Sequence, residues 1–181
     1  QAGPQRFTTV GSAVVLRADG FLVTSAESVA STIEVWAQGN RRKARTEIVG
    51  VTAVFASGTE QSMEMPARIV LEDARRGLAL LKVDQRFPPP PDLVSKIGCE
   101  RGDRVTVVGH PFGAELGENR WFHSDQDSNP ALVSKLGRVT AVGTRRPGRP
   151  PLVETGIEAD PGFSGGVMLT HNGEVAGLVS P

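Results

Sequence analysis

The segment Asp160-Pro161-Gly162-Phe163-Ser164-Gly165-Gly166 holds the residues best suited to chemistry. Glycines on both sides of one serine let the backbone turn tightly and aim its amides inward, beside the hydroxyl. Such an arrangement serves a serine nucleophile whose neighbouring N–H groups take up a developing oxyanion. A glycine-rich surface turn that happens to carry a serine has the same pattern, so the segment needs support from its surroundings. A serine hydroxyl also needs a base. The three histidines, His110, His123 and His171, lie far apart in the sequence without H-x-x-x-H spacing, and each reads as a loop histidine. Cys99 is the only cysteine, so no internal disulfide forms, and it has no nearby ligand partner. No metal and no other cofactor is expected.

The elements that must position Ser164 are strands. Ser12 to Arg17, the turn Ala18-Asp19-Gly20 and Phe21 to Thr24 read as a β-hairpin. Thr32 to Ala37 alternates with period two, and Lys43 to Phe55, Ala67 to Leu71 and Leu78 to Val83 look like three further strands. Glu27 to Ser31 supports one helical turn at most. Strands resume at Arg104 to Gly109, Arg138 to Val142, Pro151 to Thr155, Val167 to Thr170 and Glu174 to Val179. With 22 valines, 21 glycines and 13 prolines in 181 residues, the composition fits short strands joined by turns, an all-β barrel or sandwich.

Between the two groups of strands lies Arg86 to Asp92, with four consecutive prolines that favour a stiff extended spacer. Its position near mid-chain predicts two halves, 1–87 and 88–181. The chain carries 20 basic and 20 acidic residues, so its net charge is zero. Neutrality argues against a protein that coats nucleic acid, and the basic clusters Arg41–Arg45 and Arg145–Arg149 read as solvated hairpin tips. No run approaches the ~20 apolar residues of a membrane span. The sequence opens on Gln1, as a processed or cut fragment does, which leaves an upstream signal or anchor open.

Several motifs together resemble the trypsin-like serine peptidases, above all their bacterial HtrA-type branch. Gly11 to Val15 and Gly20 to Thr24 are similar to the opening hairpin of that family. Gly77 to Asp84 (GLALLKVD) is similar to its D-[IL]-A-L-[IL]-K-V strand, and Gly102 to Gly113 (GDRVTVVGHPFG) to its G-D-x-V-x-x-I-G-N-P-F-G segment. Gly156 to Leu178 resembles the stretch that holds the nucleophile. The resemblance implies two packed antiparallel β-barrels of six strands each, with the site in the cleft between them and an exported or periplasmic setting. It also implies a peptide-pairing strand beginning just after Gly177–Ser180 and one more barrel strand after it. The expectation is therefore either a chain cut at Pro181 or a second barrel closed in another way, for which a partner strand from elsewhere is one solution.

Carried over position by position, the resemblance puts the nucleophile at Ser164 and the oxyanion hole at the amides of Gly162 and Ser164. The histidine of the family's T-x-x-H-x-V corresponds to Glu27 in Thr24-Ser25-Ala26-Glu27-Ser28-Val29, and its aspartate corresponds to Gly77. A glutamate with a reference pKa near ~4.3 is a far weaker base than imidazole, and a glycine orients nothing. In a studied serine protease, disabling the serine or the histidine alone cost about 10⁶-fold in turnover. The expectation is therefore an inactive peptidase fold that binds protein or peptide. Two alternatives stand beside it: a serine endopeptidase with Glu27 or His123 as a non-standard base, and a structural or regulatory module of a longer chain.

Two further features follow from the same comparison. Glu158, six residues before Ser164, matches the position that sets charge at the base of the trypsin specificity pocket, and Ser180 falls at the pocket wall. Residues 114–134 interrupt the family pattern as a polar insertion of 21 residues with Trp121 and Phe122 at its centre, followed by His123. Adjacent aromatics with a polar rim make either an anchor onto the barrel or a hot spot for a partner. Partner identity and oligomeric state are not set by the sequence.

Overall fold

A computed structural model describes residues 9–30, 32–37, 40–45, 47–90, 99–111, 132–143, 151–160 and 162–180, with backbone alone for strand residues 32–44. Twelve strands run β1 (Ala13–Arg17), β2 (Phe21–Ser25), β3 (Thr32–Ala37), β4 (Asn40–Arg45), β5 (Val51–Phe55), β6 (Met63–Asp73), β7 (Leu78–Val83), β8 (Arg104–Gly109), β9 (Val133–Gly143), β10 (Leu152–Thr155), β11 (Val167–Thr170) and β12 (Val175–Leu178). Among the described residues the single helical element is a 3-10 turn, Ala26–Val29. All pairings are antiparallel. They make two curled five-stranded sheets, ordered β1-β2-β7-β6-β5 and β10-β9-β8-β11-β12, and a separate β3–β4 hairpin. The described strands thus fall into five, five and two rather than six and six.

The Asp19-Gly20 signal works as its chemistry predicts. Gly20 sits at φ +93, and a Cβ there would lie 2.4 Å from the Val83 carbonyl, so only glycine closes this turn against β7. The hairpin then sets Leu22 opposite Leu81 and Thr24 opposite Ala79. Alternation in β7 buries Ala79, Leu81 and Val83, and these join Leu22 and Val29 in the first core. Phe87 packs on the same core, its ring centroid 4.7 Å from that of Phe55, and its N–H donates to the Ala18 carbonyl at 2.8 Å. The start of the proline spacer is therefore tied to the first sheet. The second core gathers Cys99, Val105, Val107, Val139 and Met168 around Phe163, which is fully buried.

Three expectations change. Lys43 to Phe55 is two strands, because β4 pairs with β3 and β5 with β6, and 47–50 between them is exposed and outside any strand. The cluster Arg41–Arg45 consequently lies within β4 rather than at a hairpin tip. β6 begins earlier than expected and includes Pro66, which opposes Thr52: proline costs one ladder donor but keeps the extended backbone.

Candidate functional site

The Ser164 loop is built from the inside out. Phe163, wholly buried, anchors it in the second core. The Phe163 N–H donates to the Asp160 carbonyl at 3.1 Å, closing a turn in which Gly162 stands at φ +93, a left-handed conformation that favours glycine. Past the serine, Gly166 N–H donates to Phe163 O at 2.7 Å and Gly165 N–H to Val179 O at 2.9 Å. Among the described residues the N–H groups of Gly162 and Ser164 donate to nothing, whereas those of Phe163, Gly165 and Gly166 are all used.

Ser12 joins this loop to the first sheet. Its N–H donates to Ser164 O at 2.8 Å and its hydroxyl to Gly162 O at 2.7 Å. The same hydroxyl accepts from His110 N at 2.8 Å, while the Ser12 carbonyl accepts from Thr24 Oγ1 at 2.6 Å. A residue 2% exposed thus satisfies partners on β2, the loop after β8 and the Ser164 loop at once. The approach is so close that a Cβ on Gly165, itself at φ +84, would meet Ser12 O at 2.1 Å.

The 3-10 turn lies alongside. Ser25 caps it, its hydroxyl accepting from Glu27 N at 3.3 Å, and Ala26 N–H donates to the Gly77 carbonyl at 3.0 Å. Glu27 and Gly77 are therefore neighbours across this bond. The turn reaches the Ser164 loop through Gly11, where a Cβ would lie 2.2 Å from Ser28 Oγ and 3.2 Å from Ser164 O. The Glu27 side chain nevertheless faces solvent. Ser164 Oγ is closed off from water and has no hydrogen-bond partner among the described residues. Gly77 sits at φ +74 with open space where a Cβ would stand, held by its N–H to Asp73 O at 2.8 Å. Beside it, Arg76 bonds both oxygens of Asp73 and holds that carboxyl below its ordinary value.

Glu158 is exposed, and what the fold fixes is its carbonyl, which accepts from Lys135 Nζ at 2.9 Å. Lys135 also pairs with Asp160 and stands 5.4 Å from the Phe163 ring centroid. Ser180 is exposed beyond β12. His110 is half-buried and His171 lies exposed in the β11–β12 turn. Trp121, Phe122 and His123 lie outside the described residues. Among the described residues no three His, Cys, Asp or Glu side chains gather as metal ligands. Cys99 is buried, and burial pushes its thiol up from the ordinary value. Neither Ser12 nor Lys135 stood out in the sequence.

Residues 11–178 match the family model described as a trypsin-like peptidase domain. The chain belongs to the trypsin-like peptidase family. Among curated proteins it is similar to a probable periplasmic serine endoprotease DegP-like of Pseudomonas putida (strain W619), 27% identical over 95% of this chain and 29% of that protein. The corresponding protein of Hahella chejuensis is 26% identical over 98% of this chain and 31% of its own length. The chain thus spans under a third of these relatives. Among solved structures, the HtrA-type protease AlgW with decapeptide superposes with a TM-score of 0.64 at 23% identity, covering 95% of this chain and 43% of that one. Deg5 superposes with a TM-score of 0.65 at 19% identity, over 94% and 73%. Both likenesses speak for the fold.

Proposed function

We propose that this trypsin-like domain is catalytically silent and binds protein or peptide. The observation that carries the reading is the isolation of Ser164 Oγ: no carboxylate or imidazole among the described residues lies within hydrogen-bond reach, and water does not touch it. Without a base the hydroxyl keeps its proton and does not attack. In this reading Glu27 and Gly77 occupy the emptied base and orienting positions, while Gly162 and Ser164 keep the oxyanion hole. Glu158 and Ser180 flank the binding cleft, and Trp121, Phe122 and His123 contribute a contact surface from the insertion. The halves 1–87 and 88–181 form the two walls of that cleft. Peptide as ligand is supported by the structures of AlgW with decapeptide and with tripeptide, and a periplasmic setting by the probable periplasmic endoproteases that this chain is similar to.

One observation favours a second reading, a serine endopeptidase with a rebuilt base. The two amide donors expected of an oxyanion hole are unoccupied, and a working peptidase needs them free. The readings separate on incubation with an unfolded protein. The silent domain leaves it intact over hours at equimolar ratio; fragments that disappear in Ser164→Ala would establish the peptidase.

A further inference from the structure

The Ser164 loop holds hydrogen-bond donors and no base. Gly162 N–H and Ser164 N–H are free among the described residues, and both residues are half-exposed. The Ser164 hydroxyl has neither donor nor acceptor as a partner among the described residues. In a working peptidase that proton would be directed at the base. Here it has no acceptor, and a buried hydroxyl left unpaired is costly. The loop is also fixed in place. Ser12 Oγ holds Gly162 O at 2.7 Å, Phe163 N–H holds Asp160 O at 3.1 Å, and Gly162 remains at φ +93. Ser12 thereby fixes the Gly162 carbonyl and, with it, the peptide that follows Gly162. Asp160, at the start of the loop, is paired with Lys135, which offsets its negative charge against an arriving anion.

Fixed N–H groups without a covalent step suit an anion that is already formed rather than one that develops during reaction. We infer that the Ser164 loop is a receptor for the free C-terminal carboxylate of a peptide, with one carboxylate oxygen on the Gly162 and Ser164 amides. The other oxygen accepts from the Ser164 hydroxyl, which turns about its χ1 to meet it, and Ser12 is the positioning residue that keeps the amides presented. A C-terminal carboxyl, with a reference pKa near ~3.5, is ionised at neutral pH and so brings full charge to these donors. An internal carbonyl of a longer chain offers less charge and only one oxygen. The inference rests on the peptide-binding reading above and narrows it to peptide ends.

The test uses the immobilised 181-residue chain and two pools of N-acetylated hexapeptides with randomised apolar residues, identical except that one ends in a free carboxylate and the other in a C-terminal amide. The expected result is at least tenfold greater retention of the acid pool, read by mass spectrometry, with downfield movement of the Gly162 and Ser164 amide protons in a ¹⁵N-labelled chain on adding the acid pool alone. Ser12→Ala should lose the acid-over-amide difference. Because that variant can also weaken folding, the amide-proton measurement on the unaltered chain stands independently. Equal retention of both pools, or acid binding that leaves these two amides unmoved, overturns the carboxylate receptor while the peptide-binding reading survives. Retention of neither pool overturns both. Cleavage of the amide pool overturns the silent domain itself.

Discussion

The hydroxyl of Ser12 and the carbonyl of Gly162 lie 2.7 Å apart, joining residues 150 positions distant in the chain. Through this bond the first sheet sets the conformation of the Ser164 loop. Ser12→Ala removes the hydroxyl that Gly162 O and His110 N both bond, and losing a partner to a buried polar group costs about 1–3 kcal/mol. The expected loss is about 2–4 kcal/mol in a denaturant titration. A change below about 0.5 kcal/mol would show that water replaces the hydroxyl freely.

Two glycines with almost the same φ give an internal comparison. Gly165 stands at φ +84 with backbone 2.1 Å from a would-be Cβ, whereas Gly173 stands at φ +82 in open space. Gly173→Ala should cost only left-handed strain, about 1–2 kcal/mol. Gly165→Ala adds a clash with Ser12 and Thr24 that the packed junction does not relieve, and should cost more than about 4 kcal/mol or abolish folding. Thermal midpoints of the two variants check this ordering.

Gly77, the residue that the proposed reading puts in the place of an orienting aspartate, differs from one in backbone terms as well as in side chain. Gly77 has room for a Cβ but lies at φ +74, where aspartate is tolerated with strain of about 1 kcal/mol. Glu27→His alone should therefore give no more than trace hydrolysis of an activated ester, since no carboxylate fixes the imidazole tautomer. Glu27→His/Gly77→Asp should exceed it by at least about 100-fold, the restored aspartate being worth up to ~10⁴ in turnover. Equal rates in the single and double variants would show that position 77 does not address residue 27.

Much of this was legible in the sequence. The Asp19-Gly20 turn, the alternation in Leu78–Val83 and the glycines around Ser164 each carry a local rule that the fold obeys. The break in Lys43–Phe55 was not legible, because only the partners of β4 and β5 show that one apolar run serves two sheets. Ser12 escaped notice for a related reason. Its four bonds reach Thr24, His110, Gly162 and Ser164 across the whole chain, and no window of neighbouring residues contains them. Nor does residue type show that Glu27 faces solvent.

Two titrations should shape stability against pH. Burial favours the neutral Cys99 thiol, raising it above 9.0; its contribution is complete below the unfolded value and fades as pH rises through the folded one. The Arg76 bonds lower Asp73, so its contribution is present above the ordinary value of 3.8 and is lost as pH falls through the folded one. Urea midpoints should thus decline above pH 9 less in Cys99→Ala than in the unaltered chain. Parallel declines would remove Cys99 from that limb.

The central claim is that Ser164 is not activated, and covalent labelling tests it most directly. The 181-residue chain is incubated with excess fluorophosphonate at neutral pH and its intact mass is read over several hours. The account predicts an unchanged mass. A stoichiometric adduct that maps to Ser164 and vanishes in Ser164→Ala would contradict it.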